Sequence, residues 1–199
     1  MNIAVFCSGN GTNLQAVINA VKRGYIKAEL ALVVSDNPEA YALTRAKKAK
    51  IKTFVLTKKG FATREDYDKE IINKLEEEKI GLVVLAGFMR LLSPYFVNKY
   101  RNRILNIHPA LLPSFKGTHG VKDALDYGVK VTGPTVHFVD EKLDAGPIII
   151  QATVEVRDSD TEETLAERIH KKEHIIYPKA IKWFVEGKLK IQGRKVIVC

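Results

Sequence analysis

Gly81-Leu82-Val83-Val84-Leu85-Ala86 carries no polar side chain on either face. A strand with one wet face alternates apolar and polar residues, whereas a strand apolar throughout belongs to a parallel sheet covered by helices. The residues on either side agree. Arg64 to Glu78 spaces Tyr67, Ile71, Ile72 and Leu75 along one helical face. Further upstream, strands are predicted at Asn2–Cys7, Glu29–Ser35 and Thr53–Leu56. Helices are predicted from about Asn13 to Lys22, and from the Asp36-Asn37-Pro38 turn to about Lys48. Strand–helix alternation of this kind predicts an α/β fold, a Rossmann-like, open and mostly parallel sheet with helices on both faces.

Beyond Asn106 the pattern changes. Lys130–Asp140 and Pro147–Arg157 read as two longer strands joined through Glu141-Lys142-Leu143-Asp144-Ala145-Gly146, a hairpin whose Asp and Gly suit a turn. Antiparallel strands are therefore expected toward the C-terminal half. A last helix opens at Thr161, a candidate N-cap followed by Glu162 and Glu163, and runs to about Glu186 with a bend near Pro178. Gly193 centres a terminal hairpin. At 199 residues the chain is expected to form one domain, residues 1–199, in two halves of about 1–100 and 101–199.

The composition is that of a soluble globular protein, 46% hydrophobic and 28% charged. No apolar run reaches transmembrane length, and the first residues form a strand rather than a signal peptide. Cys7 and Cys199 make neither a disulfide framework nor a metal-ligand spacing, so a reducing, cytoplasmic setting and no metal are expected. The net charge of +9 is carried partly by Lys47, Lys48, Lys50, Lys52, Lys58 and Lys59. These lysines lack interleaved aromatics and any nucleic-acid motif, so they read as solvated faces that attract small anions, with no nucleic-acid or membrane partner.

Three segments can carry chemistry. Ser8-Gly9-Asn10-Gly11-Thr12-Asn13 sits between a strand and a helix. Its glycines let backbone N–H groups approach an anion at the helix N-terminus, yet it matches neither the dinucleotide nor the P-loop pattern. It is equally a tight turn with Thr12 or Asn13 as cap. Gly87-Phe88-Met89-Arg90-Leu91-Leu92 follows the central strand, at the strand end where open α/β sheets bind ligands. Asn106-Ile107-His108-Pro109 ends a strand. Residues i and i+2 share a face, which gives an amide donor beside an imidazole, the equipment to stabilise an oxyanion.

These segments occur in a familiar order with Thr-Val-His-Phe-Val-Asp at 135–140 and Leu-Asp-Ala-Gly-Pro-Ile at 143–148. Over its whole length the chain closely resembles the phosphoribosylglycinamide formyltransferase family, folate-dependent enzymes of purine biosynthesis. The resemblance implies that Asn106, His108 and Asp144 are catalytic, and that Gly11, Thr12 and Asn13 hold a substrate phosphate. It implies that Glu173 contacts the ribose. Arg64, Met89, Arg90, Leu91, Leu92, Asn106, Asp140, Glu141, Lys142, Leu143 and Asp144 would meet the folate. The first half would then bind the phosphate and the second would carry folate and catalysis. Departures are Thr12 and Ala110 where serine is commoner, and Pro134.

The implied reaction moves a formyl group from 10-formyltetrahydrofolate, a co-substrate, to the amine of glycinamide ribonucleotide. Asn106 would donate to the formyl oxygen, protonated His108 would serve the leaving nitrogen, and Asp144 would favour the imidazolium. A monomer or homodimer is expected. Formyltetrahydrofolate hydrolases share the trio but add an N-terminal regulatory domain, and methionyl-tRNA formyltransferases add a C-terminal one. The chain is expected to have room for neither. A nucleotide-sensing module without turnover would need no such trio.

Overall fold

The computed structural model describes residues 1–199, which divide into two compact units, Met1–Leu105 and Asn106–Cys199. The first unit runs β1 (Asn2–Phe6), α1 (Thr12–Lys22), β2 (Glu29–Ser35), α2 (Tyr41–Lys48), β3 (Lys52–Val55), α3 (Arg64–Glu77), β4 (Ile80–Leu85) and α4 (Pro94–Lys99). Its strand order is β4-β1-β2-β3, every pair parallel. The stretch that predicted a central strand is β4, with Leu82, Val83 and Val84 inaccessible to solvent.

The order of these strands sets the geometry at their carboxyl ends. The chain steps from β1 to β2 to β3 in one direction, then crosses back over to place β4 on the other side of β1. Right-handed crossovers in opposite directions put their helices on opposite faces. Accordingly α1 packs with α2, and α3 with α4. The reversal leaves a switch point between β1 and β4, where the loops leaving the two carboxyl ends diverge. Those loops are the glycine segment and residues 86–92.

The second unit takes in the end of β5 (Ile104–His108), then α5 (Gly120–Tyr127), β6 (Val131–Thr132), β7 (Thr135–Phe138), β8 (Ile148–Gln151), β9 (Val154–Glu155), α6 (Glu162–Val185), β10 (Leu189–Gln192) and β11 (Lys195–Val198). Strand order is β10-β11-β8-β7-β5, with β6 and β9 forming a separate antiparallel pair. The β7–β8 and β10–β11 hairpins are antiparallel, as expected.

Three expectations need correction. Lys130–Asp140 is not one strand: it breaks at Gly133-Pro134, where proline offers no N–H to a ladder, and its two pieces join different sheets. Pro147–Arg157 also divides, at Ala152-Thr153, into β8 and β9, which join different sheets. The short helices α4 and α5 had no counterpart in the sequence reading. In α6, Thr161 caps as expected: its side chain accepts from the Thr164 N–H, and Thr164 reciprocates.

Candidate active site

In the first unit, the glycine segment is tied to the switch point at both ends. The Cys7 N–H donates to the Val34 carbonyl at 3.0 Å, and the Ser8 N–H to the Gly87 carbonyl at 3.0 Å. The Ser8 hydroxyl donates to Asp36 Oδ1 at 2.6 Å and accepts from the Met89 N–H at 2.9 Å. One hydroxyl thus joins the loop after β1 to the segment after β4. Arg45 anchors the tip, donating to the Asn10 carbonyl at 2.8 Å and to Asn10 Oδ1 at 2.7 Å.

Helix α1 does not begin as a capped turn. Its N-cap is Gly11, at φ 75°, with no side-chain cap, so neither Thr12 nor Asn13 caps it. The first N–H groups of the helix therefore lie at the glycine segment with no cap from that position, the arrangement that receives anions. A Cβ on Gly11 would sit 2.7 Å from Ala42 Cβ.

After β4, Met89 and Leu91 are 66% and 56% exposed, an apolar pair on the protein surface. Leu92 is half-buried. The Arg90 guanidinium lies 4.2 Å from the centroid of the Tyr67 ring, and its buried Nε has no hydrogen-bond partner. Arg64 opens α3 and is exposed, and its charge reaches buried Asp68.

In the second unit the structure brings Asn106, His108 and Asp144 together. Strand β5 turns the Asn106 and His108 side chains to one side, as the i, i+2 rule requires. Asp144 arrives on the loop after β7. That loop closes because Gly146 passes against the Phe138 carbonyl, where a Cβ would come within 1.8 Å of the oxygen. Asp144 itself takes the left-handed φ of 45°. Its Oδ2 lies 3.6 Å from His108 Nδ1 and accepts from the Gly117 N–H at 2.9 Å. Its Oδ1 lies 3.7 Å from His137 Nε2. Both histidine distances exceed a direct hydrogen bond.

His137 is a member of this cluster that the sequence reading did not single out. It is 2% exposed. Its Nδ1 donates to the Phe138 carbonyl at 2.8 Å, which leaves the Nε2 lone pair to accept from Asn106 Nδ2 at 3.2 Å. His137 therefore fixes which way the Asn106 amide faces. Its signal was available, since Thr135 and His137 obey the same i, i+2 rule as Asn106 and His108. Thr135 works at the other end of that face: its hydroxyl donates to the Ala110 carbonyl at 2.7 Å and accepts from the Leu112 N–H at 3.0 Å, fastening the chain beyond His108.

The electrostatics set two effects against each other at His108. Burial lowers the His108 pKa below the ordinary histidine value, and outweighs the opposing pull of Asp144 and of the Phe115 carbonyl. Asp144 does favour the imidazolium, but it does not win. For Asp144, burial acts upward, yet the Gly117 N–H and the His108 ring hold the carboxyl below its ordinary range. The Cys7 thiol is pushed up to about 12 by burial and is unreactive.

The remaining expected residues are placed singly. Asp140 Oδ1 accepts from the Lys142 N–H at 3.0 Å, Glu141 is exposed, and Leu143 is 51% exposed. Glu173 is buried on α6. No helix is long and apolar enough to cross a membrane.

Residues 1–181 match the formyl transferase family model. Over 191 residues the chain is 47% identical to the phosphoribosylglycinamide formyltransferase of Escherichia coli, covering 96% of this chain and 90% of that one. It is 44% identical to the human trifunctional purine biosynthetic protein adenosine-3, covering 99% of this chain but 19% of the longer protein. The crystal structure of glycinamide ribonucleotide transformylase 1 from Symbiobacterium toebii superposes with a TM-score of 0.98 at 44% identity, covering 100% of this chain and 93% of the other. A formyltetrahydrofolate deformylase from Pseudomonas syringae shares the fold at a TM-score of 0.92 but only 25% identity, and this chain spans 65% of it.

Proposed function

Since the chain belongs to the formyl transferase family, we propose that it is a phosphoribosylglycinamide formyltransferase. It would move the formyl group of 10-formyltetrahydrofolate to the amine of glycinamide ribonucleotide, a step of purine biosynthesis. One observation carries the reading: Asp144 sits between His108 and His137, at 3.6 and 3.7 Å, while His137 holds Asn106 by its amide.

The folate supplies the formyl group carried on its N10. The residues present fit such a molecule. Met89 and Leu91 expose an apolar surface to a flat ring system, and Arg64 and Arg90 bring positive charge for its glutamate. The helix start at Gly11–Asn13 takes the phosphate monoester, with Glu173 contacting the ribose.

Asn106 has two amide hydrogens, of which His137 takes one; the other is donated to the formyl oxygen as charge develops there. His108, once protonated, stabilises that charge and passes a proton toward the leaving nitrogen. Burial lowers its hold on that proton, which suits an acid. Asp144 keeps the imidazolium accessible and orients a bridging water. The substrate amine is itself the nucleophile, so the chemistry asks for no metal and no covalent enzyme intermediate.

An absorbance assay tests this. The protein is incubated with a 10-formyl folate, with and without glycinamide ribonucleotide. Turnover dependent on the ribonucleotide is expected; turnover without it would make the protein a hydrolase, and none would make it a binding module. Asn106→Ala, His108→Ala and Asp144→Ala should each lose about a hundred- to a thousand-fold in kcat. Native-like turnover of His108→Ala would exclude the mechanism.

A further inference from the structure

Between β5 and α5 the chain touches both His108 and Asp144 through its backbone alone. The Phe115 carbonyl accepts from His108 Nε2 at 2.7 Å, and two residues later the Gly117 N–H donates to Asp144 Oδ2 at 2.9 Å. Phe115 holds a left-handed φ of 51°, a conformation a bulky residue keeps only where its surroundings impose it. Tyr127 from α5 meets the Phe115 ring edge-on, with centroids 5.8 Å apart at 64°. Tyr127 leaves 79% of its surface in solvent, and the Phe115 ring is the aromatic neighbour it meets. The start of α5 closes the other side. A Cβ on Gly120 would lie 3.1 Å from the Phe115 carbonyl oxygen, 3.2 Å from Ala110 Cβ and 3.3 Å from His108 Nε2.

A carbonyl oxygen can only accept, so Nε2 carries a hydrogen whether the His108 ring is neutral or charged. The proton that comes and goes is then on Nδ1, the nitrogen that faces Asp144. We propose that Phe115 is a positioning residue. Its carbonyl, propped by Tyr127, reserves the Nε2 hydrogen and makes Nδ1 the nitrogen through which His108 handles the reaction proton. The balance is simple: the substrate amine loses one proton, the leaving nitrogen gains one, and the Nε2 hydrogen is unchanged. A ring without this clamp could turn about its Cβ–Cγ bond and exchange its tautomer. It would then present the wrong nitrogen, or a carbon, to Asp144.

The proposal rests on the reading of His108 as the proton-handling group, but the clamp belongs to the free protein and is testable without turnover. The ring nitrogens of His108 are followed by proton–nitrogen correlation spectroscopy on the full labelled chain, assigned by their loss in His108→Gln. Asp144 and His137 are the titratable groups beside the ring, so the titration is read on the His108 nitrogens themselves. The expected native spectrum keeps a protected Nε2 hydrogen on both sides of the titration, with Nδ1 alone changing. Tyr127→Ala should exchange that hydrogen roughly tenfold faster and lower kcat about tenfold while KM stays within about twofold, a fraction of what a full acid–base group contributes. Tyr127→Phe keeps the ring and should match the native protein. Gly120→Ala, which presses a methyl on the Phe115 carbonyl, should shift the same nitrogen signals. An Nε2 that titrates, or Tyr127→Ala with native exchange and kcat, overturns the proposal. Native-like nitrogen spectra in a protein without transferase activity would uphold the clamp and reject the functional reading instead.

Discussion

Replacing Gly11 by alanine tests the anion cradle through its sterics. Two costs add. A residue with a Cβ held at φ 75° loses about 1–2 kcal/mol in the left-handed region. The new methyl would also lie 2.7 Å from Ala42 Cβ and 2.9 Å from Ala42 Cα. Neither atom is the end of a flexible side chain: Ala42 is inaccessible, and its N–H is bound to the Gly9 carbonyl at 3.1 Å. Relief requires moving α2 or the loop, an overpacking cost of about 1–3 kcal/mol. The sum, about 2–5 kcal/mol, is a large share of the stability of a typical domain. For a chain of this size it corresponds to a Tm lower by about 4–20 °C. Gly9→Ala is the matched control, since nothing lies within 4 Å of its added Cβ. It should cost less than about 0.5 kcal/mol. Urea denaturation of both variants gives the stabilities, and the KM for glycinamide ribonucleotide should rise in Gly11→Ala alone. Equal stability of the two variants would refute the steric reasoning. A destabilised Gly11→Ala with native KM would leave the packing intact as an argument but remove the loop from phosphate binding.

Three further outcomes are expected. Stability should fall on acidification in two windows. His108 has its pKa lowered from 6.5, so the unfolded chain takes up that proton first, and stability is lost as pH drops below about 6.5. Asp144 is lowered from 3.8, so its contribution is present above that value and lost below it; urea midpoints from pH 8 to 3 check both, and His108→Gln should flatten the upper window. Ser8→Ala removes the acceptor of the Met89 N–H and the donor to Asp36, and should cost about 1–2 kcal/mol in stability. It should also raise the KM for folate, and an unchanged KM would unlink the two loops. His137→Phe fills the buried site but leaves Asn106 Nδ2 without its acceptor, so kcat should fall about tenfold or more while the fold persists, as read by circular dichroism.

What was legible in the sequence followed from short-range rules. The doubly apolar β4 and the alternation around it gave the parallel half, because the spacing of apolar residues is a local signal. Asn106 and His108 were legible as a pair because a strand puts i and i+2 on one face. The same rule, applied to the polar face of 130–140, finds His137 from Thr135. Elements of six to eight residues such as α4 and α5 present too few turns for a periodic pattern, and a break at Gly133-Pro134 separates strands that composition alone runs together. The placing of Asp144 and Phe115 depends on long-range closure. Asp144 reaches the histidines only because Gly146 clears the Phe138 carbonyl, and no propensity marks Phe115 for a left-handed turn. The sign of the His108 shift is the clearest case. In the sequence the resemblance supplies a carboxylate, Asp144, that favours the imidazolium; the burial that outweighs it is a property of the assembled fold. A site whose acid must let its proton go is therefore specified by neighbours in the chain only up to the identity of the groups. Which form of the imidazole the protein favours is set by how dry those groups become.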